Sequence, residues 1–286
     1  MKTRVAVLLT CHNRKNKTLS CLETLHLAAI HIEIDFQVYL VDDGCTDGTV
    51  ESVSNTFPSV KIIQGNGKLY WAGGMRLAWN TALKEQNYDA FILLNDDVKL
   101  HAEFIENFIT CDEYSRTTYG SAGVYSAATE DPVDQKITYG GSKILGHRFR
   151  VKSKPVVPEN SPQLIDIANA NILWVDQCVV KAIGILDCRF THGIADYDFA
   201  LRARKSGFPV LLANKAGGLC INDHGKNFLS HYETLARRIR YLKSPTGLAY
   251  SDYLFYVRRH FPSTLPYAFS MLWLKTLAPR LWDIFK

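Results

Sequence analysis

The chain has 286 residues, of which 47% are hydrophobic and 21% charged, a composition typical of a globular protein with a sizeable core. Its net charge of +5 is too weak by itself to imply binding to nucleic acid, and we expect none. The seven cysteines contain no CxxC pair, which disfavours a zinc site and favours the reduced thiols of a cytoplasmic protein. There is no signal-peptide pattern, and no apolar run reaches the eighteen or so residues that a membrane span needs.

The first half of the chain alternates strand and helix patterns. Apolar runs at 5–9, 36–41, 60–63 and 90–94 predict buried strands, and helices are predicted at 17–29, from 49 onward and at 75–85. This order predicts an open α/β sheet, in which ligands bind beyond the carboxyl ends of the strands. The polar residues predicted at those ends are Asn13, Asp42, Asp43, Asp96 and Asp97.

The second half is less regular. Residues 121–162 are rich in Gly, Pro and Thr and predict strands and loops added to the edge of the sheet. An apolar pattern resumes at 172–175, and 195–207 predicts a helix that ends at Gly207 with basic residues in its last turns.

The segment Asn95-Asp96-Asp97 directly follows the predicted strand 90–94. Two adjacent carboxylates repel each other, and they are costly to desolvate unless they are paired or bound to metal. A hard cation such as Mg²⁺ takes carboxylate oxygens together with substrate phosphates. The alternative is an ordinary solvated turn before the next helix, which is predicted near His101.

Two common nucleotide-binding patterns are absent from the sequence. The turn at 10–14 has no glycine, and the only GxG, at 65–67, is followed by Tyr70 where the dinucleotide fingerprint needs a third glycine. No GxxxxGK[ST] motif occurs either. Carboxylates at two strand ends with a cation instead suit a nucleotide-linked donor whose diphosphate is a metal-bound leaving group.

Five segments resemble the family 2 glycosyltransferases of GT-A fold, in the family's order and spacing over about residues 4–225. They are VAVLLTCHNR (5–14), VDDGCTDGT (41–49), 66–82 with its WAGGM core, LNDDV (94–98) and ADYDFALRARKSG (195–207). The resemblance implies a Rossmann-like α/β domain over residues 1–232, with a mixed sheet flanked by helices. Residues 233–286 would form a helical C-terminal extension.

The resemblance implies roles on the donor side of a site. Thr10 and Asn13 would lie near the nucleotide, and Asp42 would hydrogen-bond a uracil or thymine ring, with Asp43 in support. Asp96 would contact the donor ribose or sugar.

The resemblance also implies a metal ligand. Asp97 would bind the Mn²⁺ or Mg²⁺ that bridges the donor diphosphate, whereas Asn95 stands where family members often have Asp. Some enzymes of this fold have a late His that completes the coordination, which makes His224 a further metal candidate. A lone His is commonly structural, and both interpretations stay open.

The helix around Asp196 would carry the general base, which takes the proton of the acceptor hydroxyl as that hydroxyl attacks the anomeric carbon. The family's usual Glu-Asp pair is Ala195-Asp196 here, so Asp196 is the first candidate and Asp198 the second. In the alternative interpretation both acids only interact with the N-terminal helix dipole.

Two tryptophans have a functional and a structural interpretation. Trp71, with Gly73 and Gly74, would let the backbone approach the donor sugar, or these residues would form a tight turn before a core helix. Trp174, beside Asn171, would offer an acceptor platform because aromatic faces stack on sugar rings. We favour a core position for Trp174 but keep both residues as acceptor candidates.

The tail changes character from about residue 233. A basic cluster is followed by ten aromatic residues between Tyr250 and Phe285, interleaved with Arg and Lys. Such a segment suits the interface of a membrane, and we favour a peripheral position on the inner face of the cytoplasmic membrane. The alternative is a helical hairpin that packs on the main domain.

These features together predict an inverting, metal-dependent glycosyltransferase that uses a UDP- or dTDP-sugar and a saccharide or lipid-linked acceptor. Its expected setting is the synthesis of a bacterial surface polysaccharide such as an O-antigen or capsule. Two alternatives remain. A nucleotidyltransferase would normally show a Gly-rich basic loop at 10–14, and a non-catalytic membrane-bound scaffold would keep the fold alone.

Overall fold

The computed structural model describes residues 3–30, 32, 34–222 and 228–284, without the side chains of the last two. The strands are β1 Thr3–Cys11, β2 Ile34–Asp42, β3 Lys61–Gln64, β4 Ala90–Leu94, β5 Lys99–Leu100, β6 Val124–Glu130, β7 Ile137–Tyr139, β8 Gly141–Gly146, β9 Lys152–Val156, β10 Gln163–Leu164, β11 Ile167–Ala168, β12 Ile172–Asp176 and β13 Val210–Leu219. The helices are α1 Lys15–Ala29, α2 Thr49–Thr56, α3 Tyr70–Glu85, α4 Phe104–Tyr119, α5 Gln177–Ile183, α6 Ala195–Lys205, α7 Leu235–Lys243, α8 Tyr250–His260, α9 Leu265–Leu277 and α10 Pro279–Ile284, with a 3-10 turn at Pro262–Thr264.

The described residues form a ten-stranded mixed sheet with the order β10-β13-β6-β12-β4-β1-β2-β3, in which β5 and β7 pair at the side. The strands β1 to β4 of this order run parallel, whereas β12 is antiparallel to both of its neighbours. Cys11 pairs with Asp42, so β1 and β2 end side by side, and β4 ends next to them. The carboxyl ends of three parallel strands therefore meet at one edge of the sheet.

Two hydrophobic clusters cover the two faces of this sheet. In β1, Ala6 and Leu8 belong to one cluster and Val5, Val7 and Leu9 to the other. This alternation explains the unbroken apolar run of β1, because a strand that is covered on both faces has no solvent side. The predicted α/β class, with helices flanking a mixed sheet, is confirmed.

Helix α3 begins five residues earlier than the sequence pattern predicts. The carboxylate of Asp43 accepts the backbone N–H groups of Leu69 and Tyr70, at 2.9 and 3.0 Å, at the helix start. A helix leaves its first N–H groups without partners in the helix, so this acceptor from another loop lets it begin at Tyr70.

The segment predicted as an edge addition is only partly at the edge. Strand β6 lies inside the sheet between β12 and β13, and its residues 124–129 are therefore buried. Strands β8, β9 and β11 form a separate three-stranded sheet.

The tail is helical, as predicted, and its helix α8 packs against α6. Tyr256 and Val257 of α8, and Phe261 after it, belong to the hydrophobic cluster that contains Ala6 and Leu8 on one face of the sheet. Within the described part of the chain, no helix is both long and apolar enough to cross a bilayer. A domain boundary near residue 233 stays a prediction.

Candidate active site

A cavity of about 870 Å³ lies at the carboxyl ends of β1 and β4, within the size range of small-molecule sites. Seven of the residues singled out in the sequence line it: Thr10, Asp43, Trp71, Asp96, Asp97, Asn171 and Asp196. Six others do not, namely Asn13, Asp42, Gly73, Gly74, Trp174 and Asp198. His224 lies outside the described residues.

Asp43 organises the loop that precedes α3. One carboxylate oxygen accepts the backbone N–H of Gly67 at 2.8 Å, and the other accepts the two N–H groups at the start of α3. A Cβ at Gly65 would lie 2.8 Å from the same carboxylate, so the loop needs glycine there. The acid therefore fixes one wall of the cavity.

Asp42 is buried beside the cavity. Its carboxylate accepts the backbone N–H of Cys45 at 2.7 Å and the side-chain amide of Gln64 at 3.0 Å. Asn13 has a left-handed backbone, with φ 51°, and its side chain accepts the backbone N–H of Thr46 at 2.7 Å. Both residues therefore brace the loops around the cavity, and contact with a nucleotide stays a prediction for them.

Asp96 and Asp97 stand side by side on the cavity wall. The guanidinium of Arg14 donates to both, at 3.2 and 2.9 Å, and Lys17 lies 3.6 Å from Asp97. Asp96 also accepts the hydroxyl of Thr18 at 3.2 Å. Burial raises the pKa of Asp96 to about 6, despite the opposing charge of Arg14, and the neighbouring Asp97 adds to the rise.

The carboxylates of Asp96 and Asp97 are chemically suited to a divalent cation. They present hard oxygen ligands at a cavity that is large enough for substrate phosphates, which is the donor set that Mg²⁺ and Mn²⁺ prefer. Their mutual repulsion, which contributes to the raised pKa of Asp96, is the strain that such a cation relieves.

Asn95 has a partner of its own. The indole N–H of Trp71 donates to its side-chain oxygen at 2.7 Å, so the amide fixes the ring of Trp71 at the cavity. Gly73 and Gly74 lie buried inside α3 and away from the cavity lining. A Cβ at Gly74 would lie 2.2 Å from the hydroxyl oxygen of Thr10, so this glycine allows α3 to pack closely on β1.

Asp196 lies in the first turn of α6 and lines the same cavity as the paired acids. Its carboxylate accepts the backbone N–H of Ala170 at 3.0 Å and that of Tyr197 at 2.9 Å. These two donors hold the carboxylate in place and stabilise its negative charge. The residue before the helix, Ile194, has a left-handed φ of 71°.

Asp198 is not placed to act as a general base, because its side chain is 0% exposed and cannot reach an acceptor hydroxyl in the cavity. Its oxygens accept from Arg202, Arg259 and His260, each at 2.8 Å. Although burial alone would raise the pKa of Asp198, these hydrogen bonds lower it. The structure therefore assigns this acid to holding α6 against α8.

Asp187 continues this ionic network. It accepts from Arg259 at 2.6 Å and from the backbone N–H of Arg189 at 2.9 Å. Although burial alone would raise the pKa of Asp187, the hydrogen bonds from Arg189 and Arg259 lower it to about 2.

Trp174 is a core residue, in line with the position that we favour from the sequence. Its ring lies 5.8 Å from that of Phe108, in the hydrophobic cluster that also contains Phe104. It therefore offers no acceptor platform, whereas its neighbour Asn171 does line the cavity.

Two cations and one imidazole of the site had no role predicted from the sequence. Arg14 and Lys17 lie in the turn after β1 and at the start of α1, and His12 donates from Nδ1 to the carbonyl oxygen of Asp43 at 2.7 Å. The available signal was the position of His12 and Arg14 in the turn after a parallel strand, where ligands bind.

A family model described as "Glycosyl transferase family 2" matches residues 6–152, just over half of the chain. No curated protein matches the sequence.

Among solved structures, residues 1–349 of TarS from S. aureus are 17% identical, with a TM-score of 0.52. The match covers 76% of this chain and 60% of that solved TarS chain, so it spans less than two thirds of residues 1–349. The mannosyltransferase PcManGT from Pyrobaculum calidifontis, solved with GDP-Man and Mn²⁺, is 14% identical with a TM-score of 0.55, over 96% of this chain and 70% of that one. GalNAc-T7, solved with UDP, GalNAc and Mn²⁺, is 12% identical with a TM-score of 0.54, over 74% and 42%. Identities this low show a shared fold, and the predicted GT-A architecture is confirmed.

Proposed function

The chain belongs to glycosyl transferase family 2, and from that premise we propose an inverting, divalent-metal-dependent transfer from a UDP- or dTDP-sugar to a saccharide or lipid-linked acceptor. We place this reaction in the synthesis of a bacterial surface polysaccharide. The observation that carries the proposal is one cavity with Asp43, Asp96 and Asp97 at the strand ends and Asp196 on a separate helix. The solved neighbours that hold UDP, or GDP-Man with Mn²⁺, support a nucleotide-sugar donor.

The strand ends would bind the nucleotide part of the donor. Thr10 and Asp43 lie on the wall at these ends, and Trp71, with its ring fixed by Asn95, would contact the donor sugar. Asp42 would accept a ring N–H of the base beside the amide of Gln64, because a carboxylate oxygen can accept two hydrogen bonds.

Asp97, with Asp96 beside it, would hold Mn²⁺ or Mg²⁺. When bound, the cation would neutralise charge on the departing diphosphate. Arg14, 2.9 Å from Asp97, brings a second positive charge to the same place. The chain itself therefore contributes to stabilising the leaving group.

Asp196 would act as the general base. Its carboxylate takes the proton of the acceptor hydroxyl while that oxygen forms the new bond to the anomeric carbon. The bond from that carbon to the diphosphate oxygen breaks on the opposite face, which inverts the configuration. Two backbone N–H groups hold the carboxylate, so the proton acceptor is fixed before the substrate arrives.

A donor panel tests the proposal. The purified full-length chain with Mn²⁺ is incubated with UDP-glucose, UDP-galactose, UDP-N-acetylhexosamines, dTDP-rhamnose and GDP-mannose, and the released nucleoside diphosphate is measured. One donor should release UDP or dTDP, and the release should stop with EDTA. If no donor in the panel releases a nucleoside diphosphate, and no nucleoside diphosphate shifts the melting temperature, the chain is not a sugar transferase of this kind. Pyrophosphate released from a nucleoside triphosphate and a sugar phosphate would instead indicate a nucleotidyltransferase.

A further inference from the structure

The positive charge of the chain is concentrated in its tail. Residues 234–286 contain nine Lys and Arg and two Asp and Glu, a net charge of +7, whereas the whole chain is +5. The first 233 residues are therefore slightly acidic, at −2. The exposed basic side chains in the described part of the tail are Arg237, Arg240, Lys243, Arg258 and Arg280.

Helix α9 is mostly apolar on its exposed side as well as on its buried side, with Ser270 as an exposed polar residue. Its buried face contains Ala268, Leu272 and Thr276, and Lys275 is the one charged residue among its thirteen. On the outward side Tyr267 is 38% exposed and Leu277 55%, with Phe269 at 47% to one side. A helix at the surface of a soluble protein normally places charged residues there, whereas the exposed residues of α9 include none.

An apolar hollow of about 360 Å³ lies between α8 and α9. Leu254, Phe255, Leu265 and Phe269 line it, and Arg258 stands in the same lining. The guanidinium of Arg258 lies 5.8 Å from the centre of the Phe255 ring. The hollow thus combines an apolar wall with a cation. An anionic lipid has the matching groups, an acyl chain and a phosphate.

The tail is fixed to the wall of the cavity. Arg259 and His260 of α8 bind Asp198 of α6, and Asp252 accepts the backbone N–H of Thr191 at 2.8 Å, next to the lining residues 192–194. Thr246, between α7 and α8, itself lines the cavity. A ligand that holds the tail therefore also holds the cavity in a defined position.

We propose that helices α7–α10 form a docking surface for a bilayer that contains anionic phospholipids. Tyr267, Phe269 and Leu277 enter the boundary between headgroups and acyl chains, and the exposed Arg and Lys side chains bind lipid phosphates. Charge complementarity selects this occupant, because the exposed apolar side chains of α9 belong to a tail with a net charge of +7, which an anionic membrane surface attracts. Binding of this surface to a membrane does not require sugar transfer, so it can be tested separately from the proposed function.

Cosedimentation of the full-length chain with vesicles tests the surface, without donor or acceptor. Vesicles of phosphatidylcholine alone are compared with vesicles that also contain phosphatidylglycerol. We expect binding to the anionic vesicles, and weaker binding in high salt, because salt screens exposed charges. Arg240→Gln with Arg280→Gln should weaken binding about 25-fold, since each basic residue contributes about fivefold. Tyr267→Ser with Leu277→Ser should weaken it through the lost apolar contact.

Matched controls come from the main domain. Lys152→Gln with Lys154→Gln removes two exposed charges on β9, and Val133→Ser with Leu145→Ser removes two exposed apolar side chains. Neither pair should change vesicle binding, and circular dichroism should show all variants folded. Equal losses in the control pairs, or no preference for anionic vesicles, would overturn the surface. A dimer without vesicles that the tail substitutions dissociate would overturn it too, since a second copy would then be the occupant.

Discussion

Replacing Asp198 with Asn should destabilise the whole chain. The substitution keeps the shape of the side chain but leaves Arg202, Arg259 and His260 without their shared negative charge, in a place with 0% exposure. Breaking a buried ion pair by removing one partner costs about 3–5 kcal/mol. For a chain of this size that loss corresponds to a melting temperature roughly 10 °C lower.

Asp196→Asn is the matched control, two residues earlier on the same helix. Its two oxygens each accept one backbone N–H, and the single amide oxygen of Asn keeps only one of these, so its unfolding free energy should fall by about 1–3 kcal/mol, less than the fall in Asp198→Asn. Urea unfolding followed by circular dichroism measures both variants against the wild type. A thermal scan, and donor binding at a temperature where both are folded, complete the comparison.

The reasoning fails if Asp198→Asn keeps the wild-type unfolding free energy. It also fails if this variant is stable and binds donor but has lost transfer, because Asp198 would then act in the reaction. A loss of stability in Asp196→Asn equal to that in Asp198→Asn would remove the distinction between the two acids.

Three further predictions concern packing, pH and metal. Gly74→Ala should cost about 1–3 kcal/mol in urea unfolding, because its Cβ would lie 2.2 Å from a hydroxyl oxygen of β1, whereas Gly146→Ala meets nothing within 4 Å and should cost less. The pKa of Asp187 is lowered to about 2, so its ionised form stabilises the fold above about pH 4. The free energy of unfolding should fall by on the order of 2 kcal/mol as the pH drops from about 4 to 2. In Asp187→Asn, the dependence of the unfolding free energy on pH should be flatter over this range. Asp97→Ala should lose the gain in UDP affinity that Mn²⁺ gives the wild type in calorimetry, and an undiminished gain would mean that the cation binds elsewhere.

The strand order and the cavity were largely predictable because both follow from local patterns. Buried parallel strands give unbroken apolar runs, and the residues after them meet at one sheet edge. Asp43, Asp96 and Asp97 were found in this way. Residues two apart on a helix point to different sides, which explains why Asp196 lines the cavity and the second base candidate, Asp198, does not.

What the sequence could not supply are contacts between distant segments. Arg259 lies 61 residues after Asp198, and no local pattern links them. The bridge from Arg14 to the paired acids spans more than 80 residues in the same way. Trp174 lies on a strand whose two faces are both buried, so its side of the sheet depended on packing that periodicity does not encode.

Single-turnover transfer by Asp196→Asn, with the donor found in the panel, tests whether Asp196 is the general base. Donor affinity is measured by calorimetry with Mn²⁺, and product formation is followed in the same buffer for the variant and the wild type. We expect equal donor affinity and a transfer rate about 10²–10⁴-fold lower in Asp196→Asn. Wild-type transfer by this variant would contradict this role, because the proton of the acceptor would then be taken by another group.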